Sequence, residues 1–203
     1  MMKRVFLMLF SIMMMGMSAD AQNATKARQV LDKAAAKVSN PSGAKANFKM
    51  VSGSTTTTGT IVIKGNKFRA TTPQATLWYD GTTQWTYMKN TDEVNISNPT
   101  EAQQARMNPY KFITLYKNGY NLSMKTVAGN NEVHLVAKDK TRSIQEMYIT
   151  VSPSTSLPSK VRMLQSGKWY DITISNFSVS AQSDATFKFN ERDYPDAEVI
   201  DLR

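Results

Sequence analysis

Apolar residues recur first with a helical period, then with a period of two, then helically and with two again, and these changes lay out the chain. Over Asn23–Ser39 the apolar positions Ala27, Leu31, Ala34, Ala35 and Val38 fall at helical spacing. Asn23 or Thr25 is placed to cap the start, and Asn40-Pro41-Ser42-Gly43 stops the run. One amphipathic helix of about four turns, with a narrow alanine-rich face, is expected to lead the domain. From Lys45 the period is two: Phe48 with Met50, Ile61 with Ile63, and Phe68 with Ala70 each mark one face of a strand. Asp80-Gly81 has the residue types of a type I′ hairpin turn, whose two central positions need positive φ. Thr76–Asp80 and Thr83–Met88 are therefore expected to pair antiparallel, with Leu77 and Tyr79 sharing one face of the first strand and Trp85 and Tyr87 one face of the second.

Asn98–Asn118 breaks this pattern. Pro99-Thr100-Glu101 opens one helical stretch, and Pro109, Tyr110, Phe112, Ile113, Leu115 and Tyr116 continue into a mostly apolar second one that Asn118-Gly119 ends. Burying so aromatic a face calls for a plug or lid over one end of a sheet. Strands resume after Gly119 and run to Val179, where the apolar parity switches between Ile172/Ile174 and Phe177/Val179, the mark of a β-bulge near Ser175-Asn176. Thr186–Arg203 reads as a tail ending in a last short strand. About ten antiparallel strands make a sheet too large to stay flat, so it must curl or close. Irregular placement of the helices argues against a parallel α/β sheet.

The N-terminus is a different material. Lys3 and Arg4 precede an apolar run from Val5 to Met17 and then Ala19-Asp20-Ala21, which together predict a secretory signal peptide over residues 1–21 and a single domain over 22–203. The apolar run falls short of the ~20 residues of a spanning helix. With no cysteine, the chain has no disulfide, no thiolate metal site and no thiol to carry an acyl anchor. Formal charge is +9, or +8 once Lys3, Arg4 and Asp20 leave with the leader. In an exported protein that balance favours anionic membrane surfaces or acidic proteins over nucleic acid, although the basic residues are scattered and also suit a merely soluble surface.

Candidate chemistry is thin. His134 is the only histidine and lies on the strand parity opposite Val133 and Leu135, as a solvent-facing residue would; no nucleophile motif accompanies it. Asp80, Asp92, Glu93, Glu146 and Asp171 fall at turns or beside polar strand neighbours, which reads as a solvated rim rather than an acid/base pair. No P-loop, Rossmann glycine pattern or EF-hand loop occurs, so no catalytic residue, metal or cofactor is expected. The aromatic residues Trp78, Tyr79, Trp85, Tyr87, Tyr110, Phe112 and Tyr116 instead suggest an apolar interior, either an ordinary core or a cavity, with Met50, Met107 and Met163 as adaptable lining.

Gly59-Thr60-Ile61-Val62-Ile63-Lys64, then Lys67-Phe68-Arg69, then Tyr79-Asp80-Gly81 with Trp85 and Tyr87, resembles the signature of the periplasmic lipoprotein carrier family, LolA and its relatives. Phe187-Lys188-Phe189 and Ala197-Glu198-Val199-Ile200-Asp201 resemble its tail, so the likeness covers nearly the whole chain after the leader. It implies an α+β, mainly β fold: a curled, unclosed antiparallel barrel of about 10–11 strands with a helical lid. It also implies a periplasmic, non-catalytic chaperone, a monomer that carries acylated lipoproteins or lipid. Its docking partners would be an inner-membrane releasing transporter and an outer-membrane receptor. The acyl-binding residues expected on this basis are Phe48, Met50, Ile61, Ile63, Phe68, Leu77, Trp85, Tyr87, Met107, Phe112, Leu115 and Tyr116, with Ile61, Ile63, Phe68, Trp85 and Tyr87 on one inner face. The family's Lys-Arg-Pro turn, whose arginine latches the lid, is replaced here by Lys64-Gly65-Asn66-Lys67, which leaves Arg69 as the candidate latch. The lid itself is expected over Ala24–Val38 and Thr100–Gly119, marginally stable above a floor that does not move. Two other readings remain at this point: a holder of free lipid or sensor of envelope lipoproteins, and a secreted hydrolase.

Overall fold

The computed structural model describes residues 2–100, 103–104, 112 and 114–203, with side chains from residue 20 onward. Helix α1 (Met2–Val38) is followed by six strands, β1 (Ala44–Ser52), β2 (Thr55–Lys64), β3 (Lys67–Thr71), β4 (Ala75–Tyr79), β5 (Gln84–Met88) and β6 (Glu93–Ser97). After a 3₁₀ turn at Leu115–Lys117 come β7 (Tyr120–Val127), β8 (Asn130–Ala137), β9 (Ile144–Val151), β10 (Pro158–Gln165) and β11 (Lys168–Val179). Two more 3₁₀ turns, Asp184–Phe187 and Glu191–Asp193, lead to β12 (Glu198–Asp201).

All twelve strands form one curled, unclosed sheet in the order β12-β6-β5-β4-β3-β2-β1-β11-β10-β9-β8-β7. It is two antiparallel meanders joined where β1 pairs β11, and β12 supplies the twelfth strand by pairing parallel to β6. The expected bulge is present: Lys45 lies opposite Ser178 and Asn47 opposite Ser175, so Asn176 and Phe177 together face Ala46, and Asn176 takes φ 52°. The extra residue turns Phe177 back to the face of Ile172 and Ile174, which is why the apolar parity switches there.

Cross-strand partners point to the same side of a sheet, so the register fixes two faces. The inner face, on which α1 packs, carries Tyr120, Leu122 and Met124 of β7, Val133 and Leu135 of β8, Met147 and Ile149 of β9, and Val161 and Met163 of β10. Ala27, Leu31, Ala34 and Ala35 of α1 fill this half, and Val38 reaches Ile63, Phe68 and Tyr79 in the other.

Two sequence expectations need correction. Asn23 does not cap a helix, because α1 continues through it from Met2; its side-chain amide donates to the Met124 carbonyl at 2.9 Å and accepts from the Met124 N–H at 2.7 Å. It thereby satisfies both backbone groups of Met124 on the free edge of β7, where an unpaired strand would otherwise offer a template for aggregation. The β4–β5 connection is not a two-residue turn either. Tyr79 pairs with Gln84 across a four-residue loop, Gly81 alone has positive φ (106°), and the Asp80 carboxylate accepts from the N–H groups of Thr82 and Thr83 at 3.0 and 2.9 Å. The aspartate side chain takes over part of the turn's hydrogen bonding, which a type I′ backbone would do alone.

Candidate functional site

Register followed outward from β1 shows what the rest of the inner face offers. Phe48 and Met50 face inward on β1, and Ile172 and Ile174 are their partners on β11. On the other side Ile63 pairs with Phe68, Phe68 with Tyr79, Ile61 with Ala70, and Ala70 with Leu77, all inward. Ile63 and Phe68 are buried against Val38 and Tyr79 and act as core. Phe48, Met50, Ile61 and Leu77, by contrast, are only half-buried, as are Ile172, Ile174 and Phe177. They form an apolar band beside α1 that the helix does not fill. Ile172, Ile174 and Phe177 were not among the residues expected there; their parity across the bulge was the signal that could have found them.

Gly59 shapes this band. A Cβ at Gly59 would lie 2.3 Å from the Thr71 carbonyl oxygen and 2.8 Å from the Phe48 ring, closer than any side chain is tolerated. Glycine there lets the end of β3 close down on β2 while the Phe48 ring covers the gap, which is what the first residue of the Gly59–Lys64 motif is for.

Trp85 and Tyr87 do not share the face of Ile61, Ile63 and Phe68. Trp85 pairs with Trp78 and Tyr87 with Thr76, so both point outward, away from α1. The C-terminal tail covers Tyr87 and Trp78 on that face: the Tyr194 ring lies 4.5 Å from Tyr87 and 5.7 Å from Trp78, with Phe189 5.6 Å from Trp78. Phe187 is fully buried, and Asp184 bridges Lys64 and Lys67 at 3.0 and 3.1 Å. The Lys64 hydrogen bond, then that of Lys67, holds the Asp184 carboxyl below its ordinary range. Arg69 lies on the same outer face, its guanidinium 5.6 Å from the Trp78 ring centre. From there it faces away from α1, so its position does not suit a latch on the lid.

What ties the helical segment down is a tyrosine. Thr100 and Gln103 form a reciprocal capping box, Gln103 Oε1 accepting from the Thr100 N–H at 2.8 Å and Thr100 Oγ accepting from the Gln103 N–H at 3.3 Å. Further on, Phe112 and Leu115 pack against the α1 cluster and Tyr116 is 1% exposed within it. The Tyr116 hydroxyl donates to the Asp32 carboxylate on α1, and Arg28 sits 5.9 Å above its ring. Burial, with that hydrogen bond, pushes the Tyr116 phenol well above its ordinary value, so it stays a donor. Met107, Pro109, Tyr110 and Ile113 lie outside the described residues, as does half of the expected Thr100–Gly119 lid.

His134 lies on the outer face, as its parity predicts. Its Nε2 is 2.7 Å from Glu146 Oε1 and its ring stacks on Tyr148 at 4.2 Å, while the Tyr148 hydroxyl donates to the same carboxylate at 2.7 Å. The Tyr148 hydrogen bond, and after it His134, keeps the Glu146 carboxyl below its ordinary range. These are cross-strand neighbours on an open sheet face, a setting that stabilises pairing.

Comparison with known proteins agrees with this architecture. The family model for outer membrane lipoprotein carrier protein LolA matches residues 17–167. No curated protein matches the chain. Among solved structures, an uncharacterized conserved protein from Thermus thermophilus is 13% identical over 87% of this chain and 99% of its own, with a TM-score of 0.58, and so shares the fold. A DUF1329 family protein from Desulfovibrio piger (12% identical, 82% and 97% covered, TM-score 0.48) and a LolA superfamily protein from Nitrosomonas europaea (12%, 80% and 97%, 0.44) are also similar.

Proposed function

Because the chain belongs to the LolA family of outer membrane lipoprotein carrier proteins, we propose that it holds acyl chains on the open band of its inner face and carries the lipoproteins that bear them through the periplasm to the outer membrane. The observation that carries this reading is the half-exposed apolar band of Phe48, Met50, Ile61, Leu77, Ile172, Ile174 and Phe177 on a face otherwise filled by α1. Contiguous exposed apolar surface of this kind marks a binding site in a soluble protein.

The energetics suit a carrier. Enclosing a long acyl chain is worth roughly 10 kcal/mol at about 0.8 kcal/mol per CH₂, and a band that covers the chain on one side recovers about half of it. That is enough to keep the chain out of water and little enough to let a receptor take it. Phe112, Leu115 and Tyr116 would be the movable cover, and an inner-membrane transporter and an outer-membrane receptor the two partners, with the signal peptide of residues 1–21 directing export. The family consists of binding and carrier proteins rather than enzymes, and no catalytic role is proposed for His134 or Glu146. The test is release: with the family's transporter present, the chain should move an acylated lipoprotein from inner membranes into solution, and failure to release any would sink the shuttle role.

One observation favours a second reading, a holder of free lipid. The turn that carries the family's latch arginine has none here, and Arg69, the candidate in its stead, points away from α1; a different closing device suits a different cargo. Phospholipid or fatty acid copurifying with the protein, without lipoprotein release, would support it.

A further inference from the structure

The apolar band has a polar margin on the same face. Leu77 pairs with Thr86 of β5 and Thr86 with Asn95 of β6, so this row passes from apolar to neutral polar within two strands. The adjoining row does the same from Tyr79 through Gln84 to Ser97. Neighbouring strands lie about 4.8 Å apart, which sets Thr86 about 5 Å and Asn95 about 10 Å across the sheet from Leu77. All four polar side chains are half-buried. Gln84 Nε2 donates to Thr86 Oγ at 3.3 Å, whereas the Asn95 amide and the Ser97 hydroxyl have no hydrogen-bond partner among the described residues.

Charge is distributed with a matching bias. Lys45, Lys49, Lys64, Lys67 and Arg69 all point to the outer face, and no inward position of β1–β6 carries a lysine or arginine. The charged side chains that the margin does carry are Glu93 and Glu198, register neighbours on the parallel β6–β12 pair with no ion pair among the described residues. Glu93 is two residues from Asn95, about 7 Å along the strand and inside the Debye length of about 8 Å at physiological salt. On α1, Lys37 precedes Val38, which packs in the cluster of Tyr79, but Lys37 itself is exposed.

Resting on the acyl-binding reading above, we propose that this margin takes the ester carbonyls of an uncharged glyceride whose chains lie on the band, and turns away lipids with an anionic head. An ester carbonyl only accepts hydrogen bonds, and the amides of Gln84 and Asn95 with the hydroxyls of Thr86 and Ser97 are neutral donors set beside the apolar surface. A neutral ester also gives up water at far smaller cost than a phosphate or carboxylate does. An anionic head in the same place would meet two carboxylates and no cation from the sheet, so the margin discriminates by repulsion as well as by attraction.

The experiment measures binding of uncharged dioctanoylglycerol and of dioctanoyl phosphatidic acid, with identical chains, to the full chain by titration calorimetry at low salt. Dioctanoylglycerol should bind about tenfold more tightly, and Glu93→Gln with Glu198→Gln should close that gap by strengthening the binding of phosphatidic acid. Asn95→Leu should weaken dioctanoylglycerol about tenfold, whereas on a merely apolar surface the added leucine would strengthen it; circular dichroism confirms that each variant is folded. Equal binding of the two lipids to the unaltered chain, or tighter binding of phosphatidic acid that Lys37→Gln abolishes, overturns the neutral margin and leaves the acyl-binding reading standing. Binding of neither lipid overturns both.

Discussion

On β7–β10 the helix fills the inner face and the outer face stands open, carrying the His134, Tyr148, Glu146 and Arg162 ladder. On β2–β6 the covering is reversed: the C-terminal tail lies on the outer face over Trp78 and Tyr87, and inward-facing Ile61 and Leu77 stand half exposed. The same strand chemistry thus serves two ends. One meander is a core in which the inward apolar side chains from Tyr120 to Met163 meet apolar partners under the helix. The other is braced from behind, which is what allows its inner surface to be left unfilled without unfolding.

The largest effects should come from the bracing and the filled half. Phe187→Ala, at a side chain with no exposure, is expected to cost about 3–5 kcal/mol, and Leu31→Ala about 2–5 kcal/mol, read from urea denaturation. If the band is a binding surface, Leu77→Asp should cost far less stability than either yet abolish lipid binding; equal destabilisation would make Leu77 ordinary core. Gly59→Ala comes next, at about 1–3 kcal/mol, because the new methyl meets the Thr71 carbonyl and the Phe48 ring and the strands must part.

Tyr116→Phe should be milder, about 1 kcal/mol, since Asp32 is exposed and water replaces the lost donor. Its signature is local: amide exchange over residues 114–118 should quicken while that of β8 and β9 stays slow. Unchanged exchange would show that apolar packing, and not the hydroxyl, holds the segment.

The smallest effect is electrostatic. The folded Asp184 carboxyl sits below the ordinary 3.8, so its bridges to Lys64 and Lys67 stabilise fully above that value and are lost as pH falls through the folded value. The pairs are exposed, so the gain is slight. A small acid-side change in tryptophan fluorescence, as Phe189 and Tyr194 loosen from Trp78, is expected in the unaltered chain and absent in Asp184→Asn.

Much of this comparison can be read along the chain. The strand runs, the bulge at Asn176 and the final strand follow from parity and turn residues, and the Gly59 motif led to the family. The face of Trp85 was missed although it was also legible. Hairpin pairing sets even residues against odd ones across Asp80-Gly81 whether the loop has two residues or four, so Trp85 had to join Trp78 and not Tyr79. Aromatic content drew these residues inward, when an outer face roofed by Phe189 and Tyr194 satisfies the same burial. That roof depends on contacts about a hundred residues apart, which no local period records. Likewise Asn23 has a capping residue's chemistry but meets its partner on β7, and the Tyr116–Asp32 contact joins segments far apart in the chain.

Photocrosslinking of the folded chain with a diazirine-bearing fatty acyl probe, followed by peptide mapping, separates the two faces directly. Adducts concentrated on Phe48, Met50, Ile61, Leu77 and Ile172 are expected, with Trp78, Trp85 and Tyr87 unlabelled. Adducts on Trp85 and Tyr87 with the inner band untouched would contradict the assignment of the inner face as the lipid site.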